Sequence, residues 1–293
     1  MRATTSVWVE AFAGAPWQGH GVLVLPEAEG MASAEMAAVA ASTGAPLTVF
    51  VVAPRRDDCH RRLRVFTPLR ELPLSVTAAF AAAAAMPHGR PAMTFEQNVV
   101  ATEVLRDDAG FSMALARPVA GTQEMPDPGA VAAALGVEAA ALDASLPVLA
   151  GNAGLHCLLV PMADAAALGR VRLQPGLWAG LIEKAKVLGA LGWVREGDDL
   201  RARFVGPLAG VPEWPCEPLA AAALVRALVE RGVLPSLGPG VSRVVRVRHD
   251  VVAGRDAGVE LVYTGAADRD GAVTVRGTAV VRGEGRLWLG HEA

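Results

Sequence analysis

The residues best placed to do chemistry lie in EWPCEPLAAAAL, Glu213 to Leu224. Glu217 stands directly before Pro218, an order that marks the entry to a helix. A carboxylate there is stabilised by the helix dipole, and it serves as a base near neutrality only if burial raises its pKa. The competing reading is an ordinary helix-start acid facing water. Cys216 is either a thiolate activated by the helix N-terminus or a small buried filler. Glu213 reads as a structural hydrogen-bonder. Pro218 has no N–H and Leu219 no hydroxyl, so this entry is short of donors for an anion. Trp214 makes its wall apolar, which suits an aromatic ligand or plain core filling.

A second group lies in the first third of the chain. Ser75, Thr77 and Thr48 are neutral groups that either hydrogen-bond a ligand or bond their own backbone locally. His20 is a candidate acid or base, or a plain loop histidine. Leu47, just before Thr48, is apolar.

Other chemistries find no support. The three cysteines, Cys59, Cys157 and Cys216, are odd in number and far apart, which argues against a disulfide framework. No histidine has a second ligand at metal spacing, and no Gly-x-Ser-x-Gly elbow, His-Glu-x-x-His helix or phosphate loop is present. His249 with Asp250 only precedes a turn. A net charge of −3 gives no reason to expect nucleic acid or an anionic membrane. The longest apolar run, around residues 78–86, is too short to span a bilayer. The opening MRATTSVWVEAF lacks the features of a signal peptide. A cytoplasmic protein is therefore expected.

The elements that must position these residues are mixed. Strands are expected at 6–12, 21–25, 47–53 and 62–68, with a helix at 33–43 opened by a Ser cap and an apolar helix from Val76 to Met86. Further strands follow (MTFEQ, VATEVLR and GFSMALA), then a Pro- and Ala-rich crossover. The second section opens with GLHCLLVPM, carries a helix from the Glu217 entry to Arg231, and ends in a β meander. The halves echo one another: FTPLRELPLSVTAAF and FVGPLAGVPEWPCEPLAAAAL share the order strand, Pro-Leu, Pro, loop, Ala-rich helix, with the same Pro-Leu…Pro spacing. The echo predicts a duplicated α+β lobe. The boundaries read as a first lobe over 1–118, which the strand at 280–293 could complete, a linker over 119–150, and a second lobe over 151–279.

At these motifs the chain resembles the PhzF-like family, whose fold is shared with diaminopimelate epimerase. VEAF (9–12) resembles V-D-A-F, and QGHGVLVL stands where the family has G-N-P-A-x-V. RVFTPLRELPL (64–74) resembles R-W-F-T-P-x-x-E-V-D-L, and RFVGPLAGVPEWP (203–215) resembles R-x-F-x-P-x-x-G-I-x-E-D-P. Gly254–Arg255 fits the M-G-R segment, and VTVRGTAVV fits a late family strand. The resemblance covers nearly the whole chain. It implies two pseudo-symmetric lobes, each a curved sheet around a central helix, and cofactor-free proton transfer on a small molecule.

The departures fall on the chemistry. The family's general base, the Glu of N-L-S-E-T-A-F, is Leu47 here. Its His in D-L-C-G-H-A-T is Thr77, its Asp in E-D-P is Trp214, and its T-G-S-A cradle is Glu217, Pro218, Leu219 and Ala220. Loss of one oxyanion donor alone costs roughly 100- to 1,000-fold in rate. The expected activity is therefore an isomerase-type reaction of altered mechanism on a small cyclic unsaturated acid in specialised, antibiotic-type metabolism. Glu217, Thr77 and Ser75 are the catalytic candidates; Leu47, Thr48, His20, Glu213, Trp214, Cys216 and Leu219 are the substrate-binding ones. No cofactor or metal is expected, and a homodimer is compatible with the reading. The alternative is a catalytically inactive relative that binds a ligand or partner.

Overall fold

The computed structural model describes residues 2–86, 90–115, 127–206, 211–214, 217–249, 256–266 and 272–289. The chain divides into two compact units, Met1–Ala114 with Ala209–Val211 and Arg276–Ala293, and Leu115–Leu208 with Pro212–Val275. Cys216 and Gly254–Arg255 lie outside the described residues.

The first unit opens with strands β1 (Arg2–Ala11) and β2 (His20–Leu25), then helix α1 (Ser33–Thr43). Ala32, not Ser33, is the cap of α1; Ser33 is its first helical residue, and Gly44 closes it at φ 67°. Met36 and Ala40 of α1 pack on Phe50 and Phe66. Strands β3 (Leu47–Val52), β4 (Arg61–Phe66) and the two-residue β5 (Glu71–Leu72) lead into α2 (Val76–Ala85). Strands β6 (Ala92–Glu96), β7 (Ala101–Asp107) and β8 (Gly110–Leu115) follow. α2 reads VTAAFAAAAA and is buried from Val76 to Ala84. A helix apolar on every side has no face for water and belongs in the interior. Strands β1, β2, β3, β4 and β7 pack around it. Phe80 sits between Phe12 and Phe111, with ring centroids 5.4 and 5.7 Å away.

The second unit begins with α3 (Pro128–Ala134), capped by Asp127, and continues with β9 (Leu149–Asn152) and β10 (His156–Pro161). Helices α4 (Ala165–Arg170) and α5 (Pro175–Ala185) precede β11 (Gly189–Glu196), β12 (Asp199–Gly206) and β13 (Val211–Trp214). α6 (Pro218–Glu230) is this unit's buried helix and packs on β9, β10 and β15. Strands β14 (Ser242–His249), β15 (Ala257–Thr264) and β16 (Ala272–Gly277) follow, and β17 (Ala279–Leu289) pairs antiparallel with β1 in the first unit. The short strands β5, β9 and β13 and the helix α4 are too brief to show a period in the sequence.

The two units repeat one pairing scheme. In the first, β1–β2 is antiparallel, β2–β3 parallel, β3–β4 antiparallel, β4–β6 parallel and β6–β7 antiparallel. In the second, β9–β10, β10–β11, β11–β12, β12–β14 and β14–β15 run in the same succession. The fold is thus α+β, with two pseudo-symmetric lobes each built around a central helix. A pair of matching ion pairs fixes the register of the repeat. Arg64 donates Nε and Nη2 to Glu71 at 2.8 and 2.6 Å, and Arg203 donates the same two atoms to Glu213 at 2.6 and 2.7 Å. The first pair is separated by 7 residues and the second by 10. The second lobe therefore carries extra chain in this loop, and Glu213 corresponds to Glu71. The Pro-Leu…Pro spacing alone does not reveal that offset.

Candidate active site

Glu217 caps α6 and is buried, 6% exposed. Its Oε1 accepts the Leu219 N–H at 3.1 Å. Pro218 fits the first helical position because it has no N–H to satisfy there. Burial pushes the Glu217 carboxyl up to about 7, against a smaller lowering by the Leu219 hydrogen bond. The water-facing alternative thus does not hold; this acid can take or give a proton near neutrality. Cys157 on β10 is fully buried, and its thiol is pushed up by burial and by the charge of Glu217.

Next to Glu217 is a void of about 10 Å³, also lined by Leu191, Ala202, Phe204, Ala221, Val247, Arg248 and His249. His249 ends β14, is 4% exposed, and places Nε2 3.4 Å from Oε1 of Glu213. Burial alone would raise Glu213, but hydrogen bonds from His249 and Arg203 and their charges hold it down to about 2. Arg203 is itself fixed, its Nη1 donating to the carbonyls of Leu168, Gly169 and Val171 at 3.3, 3.3 and 3.0 Å. Glu213 is therefore an ionised anchor, in keeping with its structural reading. Trp214 is buried edge-on to Phe204, with centroids 6.0 Å apart, and Leu219 is buried.

In the first lobe Ser75 caps α2. Its Oγ accepts the Ala78 N–H at 3.1 Å, and its own N–H donates to Gln97 Oε1 at 2.8 Å. Thr77 is buried in the first turn of α2. Leu47 is fully buried at the start of β3, and the register places it beside Val22, itself beside Val9. No acid belongs to that row. Among the described residues the buried acids of this lobe are Glu10 and Glu96. Glu10 accepts from the N–H groups of Trp17 and Gly19 and from Arg282, while Glu96 accepts from the N–H groups of Arg55 and Arg56. Thr48 pairs with Leu23 and Phe66, on the sheet face opposite Leu47. Its Oγ1 is buried with no hydrogen-bond partner among the described residues. His20 starts β2 instead of lying in a loop, and is buried opposite Ala11.

The structure thus gathers Glu217, Glu213, Trp214 and Leu219 around one helix start, and Ser75 and Thr77 around the other. Two residues that the sequence reading passed over, His249 and Arg203, belong to the Glu217 neighbourhood. Their distance in sequence from Glu217 hides them, although Arg203 heads the RFVGP motif that echoes RVFTP. Among the described residues no cluster of His, Cys, Asp and Glu is placed to hold a metal, and no helix is long and apolar enough to cross a membrane. A larger cavity of about 630 Å³ opens at the C-terminal half of α6, lined by Val225, Arg226, Val229, Glu230, Tyr263 and Val273 among others. Its charged pair, Arg226 and Glu230, is joined at 2.7 Å, and the buried Tyr263 phenol, pushed up by burial, also lines it.

With this geometry in place, three comparisons with known proteins bear on the reading. The family model described as phenazine biosynthesis-like protein, PhzC-PhzF, matches residues 9–285. A Deinococcus radiodurans protein described as an uncharacterised isomerase is 30% identical, over 96% of this chain and 94% of its own. The trans-2,3-dihydro-3-hydroxyanthranilate isomerase of Pseudomonas aeruginosa is 24% identical over 97% of this chain and 99% of its own. A Bacillus anthracis crystal structure of the same family superposes with a TM-score of 0.85 at 18% identity, covering 98% of this chain and all of the other. That last likeness speaks to the fold.

Proposed function

The chain belongs to the phenazine biosynthesis-like (PhzC-PhzF) family, and on that premise we propose an isomerase-type enzyme in which Glu217 moves the proton. The observation that carries this is one contrast. Position 47 is a buried leucine in an apolar row, whereas Glu217 is a buried acid at a helix start with its carboxyl raised to about 7. A base with a pKa near the working pH is both available and strong enough to act. The Pseudomonas relative is named for a cyclic, partly unsaturated amino acid, which supports a substrate of that class here. The base takes a proton from one ring carbon, the electron pair moves through the adjacent double bond, and a proton returns at another carbon. No oxidant, leaving group or cofactor enters that balance.

In this reading Thr77 and the Ser75 hydroxyl proton are the neutral hydrogen-bonding groups of the first lobe, with Leu47 its apolar residue. Trp214 and Leu219 supply apolar walls beside Glu217, and Glu213 holds the polar frame there. The lobes are proposed as 1–118, completed by the strand at 280–293, and a second lobe that takes in 151–279 together with α3 and β9 of the stretch 119–150. We place the enzyme in the cytoplasm, as a homodimer acting in specialised metabolism. The second reading, a binding protein without catalysis, draws on the void beside Glu217, whose roughly 10 Å³ admits one water and no substrate. A screen of cyclic unsaturated amino acids in deuterium oxide, followed by proton NMR, tests the proposal. Isomerisation with deuterium at a ring carbon supports it; binding without turnover by any member favours the second reading.

A further inference from the structure

Among the described residues, few groups line the void beside Glu217. β11 gives Leu191, β12 gives Ala202 and Phe204, α6 gives Ala221, and β14 gives Val247, Arg248 and His249. Behind them β10 places Cys157 within electrostatic reach. Arg248 is more than half exposed, with Nη2 3.9 Å from Asp199. Among the described residues that leaves His249 as the other buried polar side chain on the wall of the void.

The void of about 10 Å³, partly open to the surface, has room for about one water. A buried water needs at least two polar partners, and this wall offers a carboxyl and an imidazole among hydrocarbon. The imidazole is held from behind. Glu213 lies 3.4 Å from Nε2, and Arg203 grips Glu213 with two hydrogen bonds and three backbone carbonyls with its remaining Nη. An ionised carboxylate fixed behind an imidazole orients the ring.

Resting on the reading of Glu217 given above, we propose that His249 is its proton partner, the two joined through one water in the void and the ring held by Glu213. When Glu217 must be freed of its proton before it can act as a base, the proton passes from the carboxyl to the water while the water gives one to His249. The imidazolium so formed faces Glu213, and the reverse step restores the acid. No charge leaves the cluster. His249 is in these terms a positioning and relay residue, for it acts on the substrate only through Glu217.

The test needs no substrate. In protein labelled with ¹³C at glutamate carboxyls, the Glu217 resonance, assigned by its loss in Glu217→Gln, is followed by NMR between about pH 4 and 9. The wild type is expected to titrate near 7, as burial dictates. His249→Phe removes the polar partner of the ionised form and raises the midpoint by about one unit. His249→Gln, which can bind the water but not take its proton, falls between the two. If the Phe variant does not fold, the Gln variant decides alone: a raised midpoint supports the relay and an unchanged one overturns it. A wild-type midpoint near 7 that neither variant moves overturns the role of His249 and leaves that of Glu217 standing. A wild-type midpoint in the ordinary carboxylate range removes the reading of Glu217 itself.

Discussion

Ser75 and Glu217 hold the same place in the two lobes: each caps its lobe's buried helix, and each stands four residues after the acid of the matching ion pair. Both side chains accept a backbone N–H, from Ala78 and Leu219 respectively. A serine does this as a neutral group. A glutamate does it with a group that can also lose a proton, and burial sets that loss near neutrality. The repeat thus uses one structural position for a cap in the first lobe and for a cap that is also an acid in the second.

The raised carboxyl of Glu217 makes stability depend on pH. Its folded pKa lies above the ordinary 4.5, so the folded state binds the proton more tightly. The stabilisation is complete below 4.5 and is lost as pH rises through about 7. Glu217→Gln keeps the acceptor for Leu219 and removes the titration. Urea unfolding should therefore show the variant insensitive to pH across this window, and more stable than wild type above it by about 2–3 kcal/mol.

Glu213 works in the opposite sense. Its carboxyl is held down to about 2, so its stabilisation is present above 4.5 and is lost as pH falls toward 2. Arg203→Ala leaves a partly buried carboxylate and three carbonyls without their donor. It should lower stability at neutral pH by about 3 kcal/mol and flatten the acid limb of the stability profile. Denaturant titration at several pH values checks both effects.

Much of this was legible in advance, for physical reasons that differ between elements. The helix at 76–85 shows itself because nine of its ten residues are apolar or alanine, and Gly44 marks the end of α1 because φ 67° suits glycine. That Leu47 stands where the family keeps its Glu rests on the resemblance of the flanking motif; the structure adds that the position is buried in an apolar row. Three things were not legible. The burial of Glu217 depends on Phe204, Ala202 and Val247 from distant strands. His249 gains its role from Glu213, 36 positions earlier in the chain. The extra chain before Glu213 shows only when Arg203 and Arg64 are seen gripping equivalent acids.

Position 47 offers a direct contrast. Leu47→Glu puts a carboxyl into a fully buried row with Val22 and Val9. The charged form has no partner there, so its pKa rises and stability falls as pH rises. A loss of about 4 kcal/mol at pH 8, shrinking below pH 5, is expected. Thermal melts across pH measure it, and a variant as stable as wild type at pH 8 would show that position 47 tolerates an acid.

Ser75→Ala separates capping from chemistry. Removing the acceptor for Ala78 should cost about 1 kcal/mol in unfolding experiments. Because the hydroxyl proton remains only a neutral donor to substrate, turnover should drop by tenfold or less, an effect of about 1 kcal/mol. The pH profile of the reaction should be unmoved, since Ser75 does not titrate.

Solvent deuterium incorporation into a turned-over cyclic unsaturated acid, compared between wild type and Glu217→Gln, bears most directly on the claim that this acid has taken over proton transfer. The account predicts incorporation by the wild type and a loss of about 100-fold or more in the variant, the scale of a missing general base. Turnover without incorporation, or a variant that incorporates deuterium at the wild-type rate, would contradict it.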